Sequence, residues 1–275
     1  MARQNYFDIL NRMEFDPQRE LKNLMDLLEM ERNFKSIYYE TSLNSAISDN
    51  FLDYPNRSTF TNYSQMVEFV GLNIYNTTEQ LFVFSEFLVD IFCNLAEKFT
   101  EEESEFIQII FDNIKRFLEL SNHELITLDN GNKIIVEKNV YASEASQIVS
   151  ETSIEEAIKV LEYNHFSNKG NIQRKKEILI ALANYLEPFR RELNYSEELK
   201  DIMKVNNQKV IAFEKLFEMY NNFGLRHNNS NQYHLDLADD ELEQWYDDIY
   251  TSTLFVILSM DESRILSKLK TLREG

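Results

Sequence analysis

Residues that break helices or build turns are scarce in this chain. Its 275 residues include five glycines and three prolines, where average usage would supply about 19 and 14. Long helices tolerate neither residue in their interiors, whereas all-β folds need both at their many turns. The expectation is a mainly α protein. The glycines also limit chemistry. They stand at 71, 131, 170, 224 and 275, the closest pair 39 positions apart. No P-loop, no dinucleotide-binding G-x-G-x-x-G and no G-x-S-x-G elbow can be assembled from them.

With 43% hydrophobic and 27% charged residues, the composition is that of an ordinary globular protein, long enough to build a core without a disulfide or metal. The 28 basic and 47 acidic side chains leave a formal charge of −19. That field repels nucleic-acid phosphates over most of the surface, so any polyanion site needs a local basic pocket. The acids cluster at Glu101, Glu102, Glu103 and Glu105, and again between Asp236 and Asp248. Both runs read as solvated faces or helix starts. A lone Cys93 points to a reducing compartment, and its apolar neighbours suggest a buried filler. Met1 to Asn11 has no basic head followed by an apolar stretch, and Glu86, Asp90 and Glu97 interrupt the most apolar segment, 81–99. No membrane contact and a cytoplasmic location are expected.

Asp16-Pro17 reads as a cap followed by proline at the first helical position. Apolar residues then recur at helical spacing from Leu21 to Met30, from Leu81 to Leu95 and from Ile107 to Leu118. Thr100 and Glu103 fit a capping box, as do Ser153 and Glu156. One β signal stands out: Leu125–Leu128 and Lys133–Glu137 flank Asp129-Asn130-Gly131-Asn132, a hairpin turn composition. Beyond it, helices are expected over 172–193, with Pro188 ending the helix early, over 205–222, with Gly224 as its stop, and from Asp239 onward. The whole is a multi-helix bundle with one small β-hairpin. Residues 139–152, small and polar, suggest a join between an N-terminal helical region, 1–140, and a second bundle, 150–275.

Metal and cofactor signals are missing from the sequence. Four histidines and one cysteine form no H-E-x-x-H or C-x-x-C pattern. The segment Tyr220-Asn-Asn-Phe-Gly-Leu-Arg-His-Asn-Asn-Ser-Asn231 is different. Arg226, His227 and several amides gather there, with His234 just beyond. A histidine can move protons near neutral pH, and an arginine can hold a phosphate and stabilise charge building on it. Such a set could cleave RNA by activating a ribose 2′-hydroxyl against the neighbouring phosphate. The plainer reading is a polar interhelical loop in which Arg226 pairs with an acid. Lys169, Arg174, Lys175 and Lys176, with Arg190 and Arg191 further on, offer either a basic patch or a solvated helix face.

The stretch 175–191 (KKEILIALANYLEPFRR) and Phe223-Gly-Leu-Arg-His-Asn228, followed by an acid-rich final helix, resembles HEPN-type domains of prokaryotic abortive-infection and phage-defence proteins. The likeness covers about residues 150 to 270. It implies a helical bundle that forms homodimers or higher oligomers, and a metal-independent endoribonuclease acting in defence or as a toxin. Arg226 would then hold the phosphate, His227 would be its polar neighbour and His234 the downstream histidine. Seven residues separate His234 from Arg226, one more than the family pattern holds. Asn228, Lys175, Lys176 and Arg190 are the accompanying RNA-binding candidates. The alternative is a non-catalytic HEPN-like scaffold or sensor that binds a protein partner of a defence complex. Residues 1–140 would regulate or oligomerise.

Overall fold

The computed structural model describes residues 14–31, 41–72, 77–128, 130–226 and 237–274. Its contacts divide the chain into two units, residues 1–135 and 136–275. The helical expectation holds in both: the fold is mainly α, with a small two-stranded hairpin where the sequence suggested one.

The first unit contains α1 (Pro17–Glu29), α2 (Leu43–Asn50), α3 (Tyr63–Leu72), α4 (Thr77–Asn94), α5 (Glu101–Leu120) and β1 (His123–Thr127). Strand β2 (Lys133–Glu137) pairs with β1. Asp16 caps α1 as expected, its carboxylate accepting from the Gln18 and Arg19 N–H groups at 3.1 and 3.2 Å. The Thr100 box closes in both directions: Glu103 N–H donates to the Thr100 hydroxyl at 3.2 Å, and Thr100 N–H donates to the Glu103 carboxylate at 2.7 Å. The acid run 101–103 is thus the first turn of α5, where negative charge complements the exposed N–H groups. Helix α4 buries residues around much of its circumference, including Leu81, Phe84, Leu88 and Ile91. Its Glu86 accepts the Ile135 N–H at 2.6 Å and so ties β2 to the helix. Cys93 corrects the sequence reading. It is exposed, because Ile91, Phe92 and Leu95 take the inward positions around it.

The second unit contains α6 (Val140–Ser150), α7 (Ile154–Glu162), α8 (Ile172–Leu186), α9 (Arg190–Tyr195), α10 (Glu197–Ile202), β3 (Val205–Asn206), β4 (Lys209–Val210), α11 (Ile211–Asn222) and α12 (Asp239–Glu274). Helix α12 is the centre of this bundle, packing against α6, α8, α10 and α11. The suggested join at 139–152 is instead α6, because Ala142, Ala145 and Val149 share a buried face and their small side chains let α7 approach. The expected helix over 205–222 starts only at Ile211. Ahead of it the chain turns through Asn207 and Gln208, both at positive φ, to make the β3–β4 hairpin. Ser153 precedes α7, but its hydroxyl bonds the Glu156 carboxylate and caps no N–H. Pro188 behaves as expected: α8 ends at Leu186 and a 3₁₀ turn follows, since proline lacks the N–H and its ring crowds the carbonyl four residues back. No helix of the described residues is long and apolar enough to cross a membrane.

Trp245 is partly exposed, and α12 turns Tyr246 and Tyr250 into the core instead; Tyr246 is 0% exposed and its hydroxyl has no hydrogen-bond partner among the described residues. An unpaired buried hydroxyl costs free energy that phenylalanine avoids. Tyr246→Phe should therefore stabilise the protein by roughly 1 kcal/mol in urea unfolding. A loss of stability instead would mean that the hydroxyl is satisfied.

Candidate functional site

Helix α11 buries Phe213, Leu216, Phe217 and Tyr220 on one face, then stops in an ordered way. Gly224 adopts φ 67°, which an L side chain would resist. This left-handed residue lets the Leu225 N–H reach back to the Tyr220 carbonyl at 3.0 Å, a Schellman-type cap. Leu225 docks in the core, 1% exposed. Arg226 follows it and is thereby seated rather than free.

The Arg226 side chain is 11% exposed and forms an ion pair with Glu187 Oε2 at 2.8 Å. Its guanidinium carbon also lies 5.8 Å from the centre of the Phe217 ring. Glu187 is available there because Pro188 has ended α8 and started the 3₁₀ turn that carries it. A second guanidinium uses the same ring. Arg190, at the start of α9, has its Cζ 4.7 Å from the Phe217 centre, so the two arginine carbons are at most about 10.5 Å apart. Cations within about 6 Å of an aromatic centre are attracted by its quadrupole.

Arg190 also contacts both Glu214 oxygens at 3.4 Å. Lys209 reaches the same carboxylate at 3.2 Å, and the Asn194 amide donates to it at 2.5 Å. Beyond the Glu-Pro pair at 187–188, which marks where a helix must release a carboxylate, Glu187, Asn194, Lys209 and Glu214 carry no sequence signal of this role. The helical repeat marks Phe217 only as an inward-facing core residue.

The other site candidates divide. Lys175 does not join a surface patch. Its side chain is 8% exposed and meets Glu243 and Asp247, each at 2.7 Å, above the Tyr163 ring. The helical repeat puts this position on the inward side of α8, beside the buried Ile178 and Leu179, and α12 supplies the two acids. Lys176, the next residue, is partly buried. Arg174 pairs with Glu162 and with Glu177. Of the basic residues, Arg190 is the one brought to the ring beneath Arg226. His227, Asn228 and His234 lie outside the described residues.

Glu162, Glu214 and Glu243 share an electrostatic pattern. Burial pushes each carboxyl up, but the cations hydrogen-bonded to them outweigh this and hold all three below the ordinary 4.5. A depressed carboxyl contributes stability that is fully present above the unfolded value and lost as pH falls through the folded one. The urea midpoint of the chain should therefore hold above pH 4.5 and fall steadily below it. Glu162→Gln should flatten that acid limb; an unchanged limb would show that its pairs with Lys159 and Arg174 add nothing.

Comparison of the chain with protein-family models, with curated proteins and with solved structures gives no match.

Proposed function

We propose that residues 150–275 form a HEPN-like domain whose Arg226-centred site cleaves RNA, in an effector of bacterial anti-phage defence or a toxin. The observation supporting this reading is the shared Phe217 ring: two guanidinium groups sit beside one aromatic at the threshold of the histidine-bearing segment. In a protein of charge −19, Arg226, Arg190 and Lys209 outnumber by one the carboxylates that hold them, Glu187 and Glu214, and a local positive surplus is what phosphate binding needs.

The chemistry is that of 2′-hydroxyl attack. Arg226 exchanges Glu187 for the scissile phosphate and stabilises the charge that builds on its non-bridging oxygens. An imidazole, from His227 or His234, takes the 2′-hydroxyl proton as the 2′-oxygen bonds to phosphorus. The bond to the 5′-oxygen breaks and that oxygen leaves with a proton. The products are a 2′,3′-cyclic phosphate and a 5′-hydroxyl end.

A specific observation favours a second reading. Arg174, Lys175, Arg190 and Arg226 each contact a carboxylate of this same chain. A HEPN-like scaffold that binds a protein partner needs no free cation, and its arginines would serve only to join helices. Expression in a bacterial host separates the two. The ribonuclease reading expects growth arrest and fragmented RNA with wild type, and neither with Arg226→Ala. Arrest by both proteins, without RNA fragments, would support the scaffold.

A further inference from the structure

Near Arg190, a cavity of about 600 Å³ opens between the β3–β4 turn, Arg190 itself and the length of α11 from Ile211 to Asn222. Its volume falls in the roughly 300–1,000 Å³ range of small-ligand sites. Three features of its wall point to one kind of ligand.

The first is charge. Arg190 and Lys209 share the single carboxylate of Glu214, so this corner retains one positive charge in an otherwise acidic protein. The remaining carboxylate on the wall, Glu218, is held by Lys215 at 2.5 Å. The second is looseness. Contacts of 3.2 to 3.4 Å from Lys209 and Arg190 to Glu214 are long against the roughly 2.7–2.9 Å of a strong charge-assisted bond. Asn194 holds the same carboxylate at 2.5 Å, so Glu214 keeps a partner if the two cations turn away. The third is the amide side chains on the wall, those of Asn207, Asn221 and Asn222. Asn206 adds a further amide to the wall.

We infer that this cavity is a nucleotide subsite, in which Arg190 and Lys209 leave Glu214 to hold a phosphate ester while the Asn221 and Asn206 amides meet the ribose or base. The phosphate answers the surplus positive charge. Hydroxyl and amino groups of a nucleoside can bond both the donors and the acceptors of these amides, which a bare phosphate would use only as donors. The inference deepens the ribonuclease reading, since the subsite would hold a nucleotide next to the one at Arg226. Its test uses binding, not cleavage, so the two can fail separately.

The full chain would be titrated with a short single-stranded RNA made uncleavable by 2′-O-methyl groups, with adenosine 5′-monophosphate and with inorganic phosphate. Lys209→Ala, at a side chain 41% exposed and so safe for folding, should weaken RNA binding roughly tenfold. It should also lower the slope of log affinity against log salt by about 0.7, one phosphate contact on a single strand. Glu214→Gln, which keeps a group for Asn194 but removes the competing charge, should tighten it several-fold. Monophosphate binding with the same response to both variants would identify a free nucleotide as a ligand; a response with RNA alone would identify the phosphodiester of a strand. Unaltered RNA and monophosphate affinity in Lys209→Ala would overturn the subsite, as would failure of all three probes to bind wild type, and Arg226-dependent cleavage would be untouched by that result.

Discussion

Lys175→Ala should unfold the second bundle at markedly lower urea, with a loss of about 2–3 kcal/mol. Removing the cation of a buried ion pair leaves its acid uncompensated. Here two carboxylates lose their cation at once, keeping among the described residues only the Gly170 N–H on Glu243 and the Tyr163 hydroxyl on Asp247. Glu243 and Asp247 are 21% and 52% exposed, so water recovers part of the loss, and the expected cost sits below that of a fully buried pair. The ammonium also lies 5.5 Å above Tyr163, which stacks on Tyr250 at 3.9 Å and donates to Asp247 at 2.8 Å. Lys175→Met keeps the aliphatic stem over that ring and should lose less than the alanine variant. Equal losses would assign the effect to charge alone. A stability within about 0.5 kcal/mol of wild type in both would show that Lys175 does not clamp α8 to α12, and would return it to the pool of RNA-binding candidates.

That lysine illustrates what the sequence could and could not convey. Local rules carried the helices. Asp16-Pro17, Thr100 with Glu103, and Pro188 each act through groups within four residues, and each does what its chemistry requires. The same rules fail where a choice of partners is open. Ser153 has both an N–H and the Glu156 carboxylate within reach, and it bonds the carboxylate. The β3–β4 turn was hidden because Asn207 and Gln208 occupy the left-handed region without a glycine. Cys93 sits among apolar neighbours, yet one position of helical rotation decides its exposure.

The candidate site stands out in the sequence as a concentration of chemistry around Arg226, but the residues that seat Arg226 do not. Which of the 47 acids pairs with Arg226 depends on how α8 ends against α11. Lys175, Lys176 and Arg190 looked alike as cations along one stretch. Only the packed helices separate Arg190, over the Phe217 ring, from Lys175, inside its acidic clamp.

Arg226 carries the central claim, and its replacement has the largest functional effect expected. A guanidinium that stabilises the transition-state phosphate is worth about 10²–10³ in rate. Lysine at this position offers a point charge without the paired donors, so Arg226→Lys should recover little. Glu187, the partner left behind, is 39% exposed as a whole side chain but its Oε2 is buried, so in a folded Arg226→Ala protein the carboxylate must turn toward water. The decisive measurement is the rate at which purified wild type, Arg226→Ala and Arg226→Lys cleave a panel of single-stranded RNAs with a chelator present, with thermal melts run on the same samples. The account predicts cleavage by wild type, ends carrying 2′,3′-cyclic phosphate, and a loss of at least about a hundredfold in both variants at near wild-type melting temperature. Cleavage by a folded Arg226→Ala protein at the wild-type rate would contradict it.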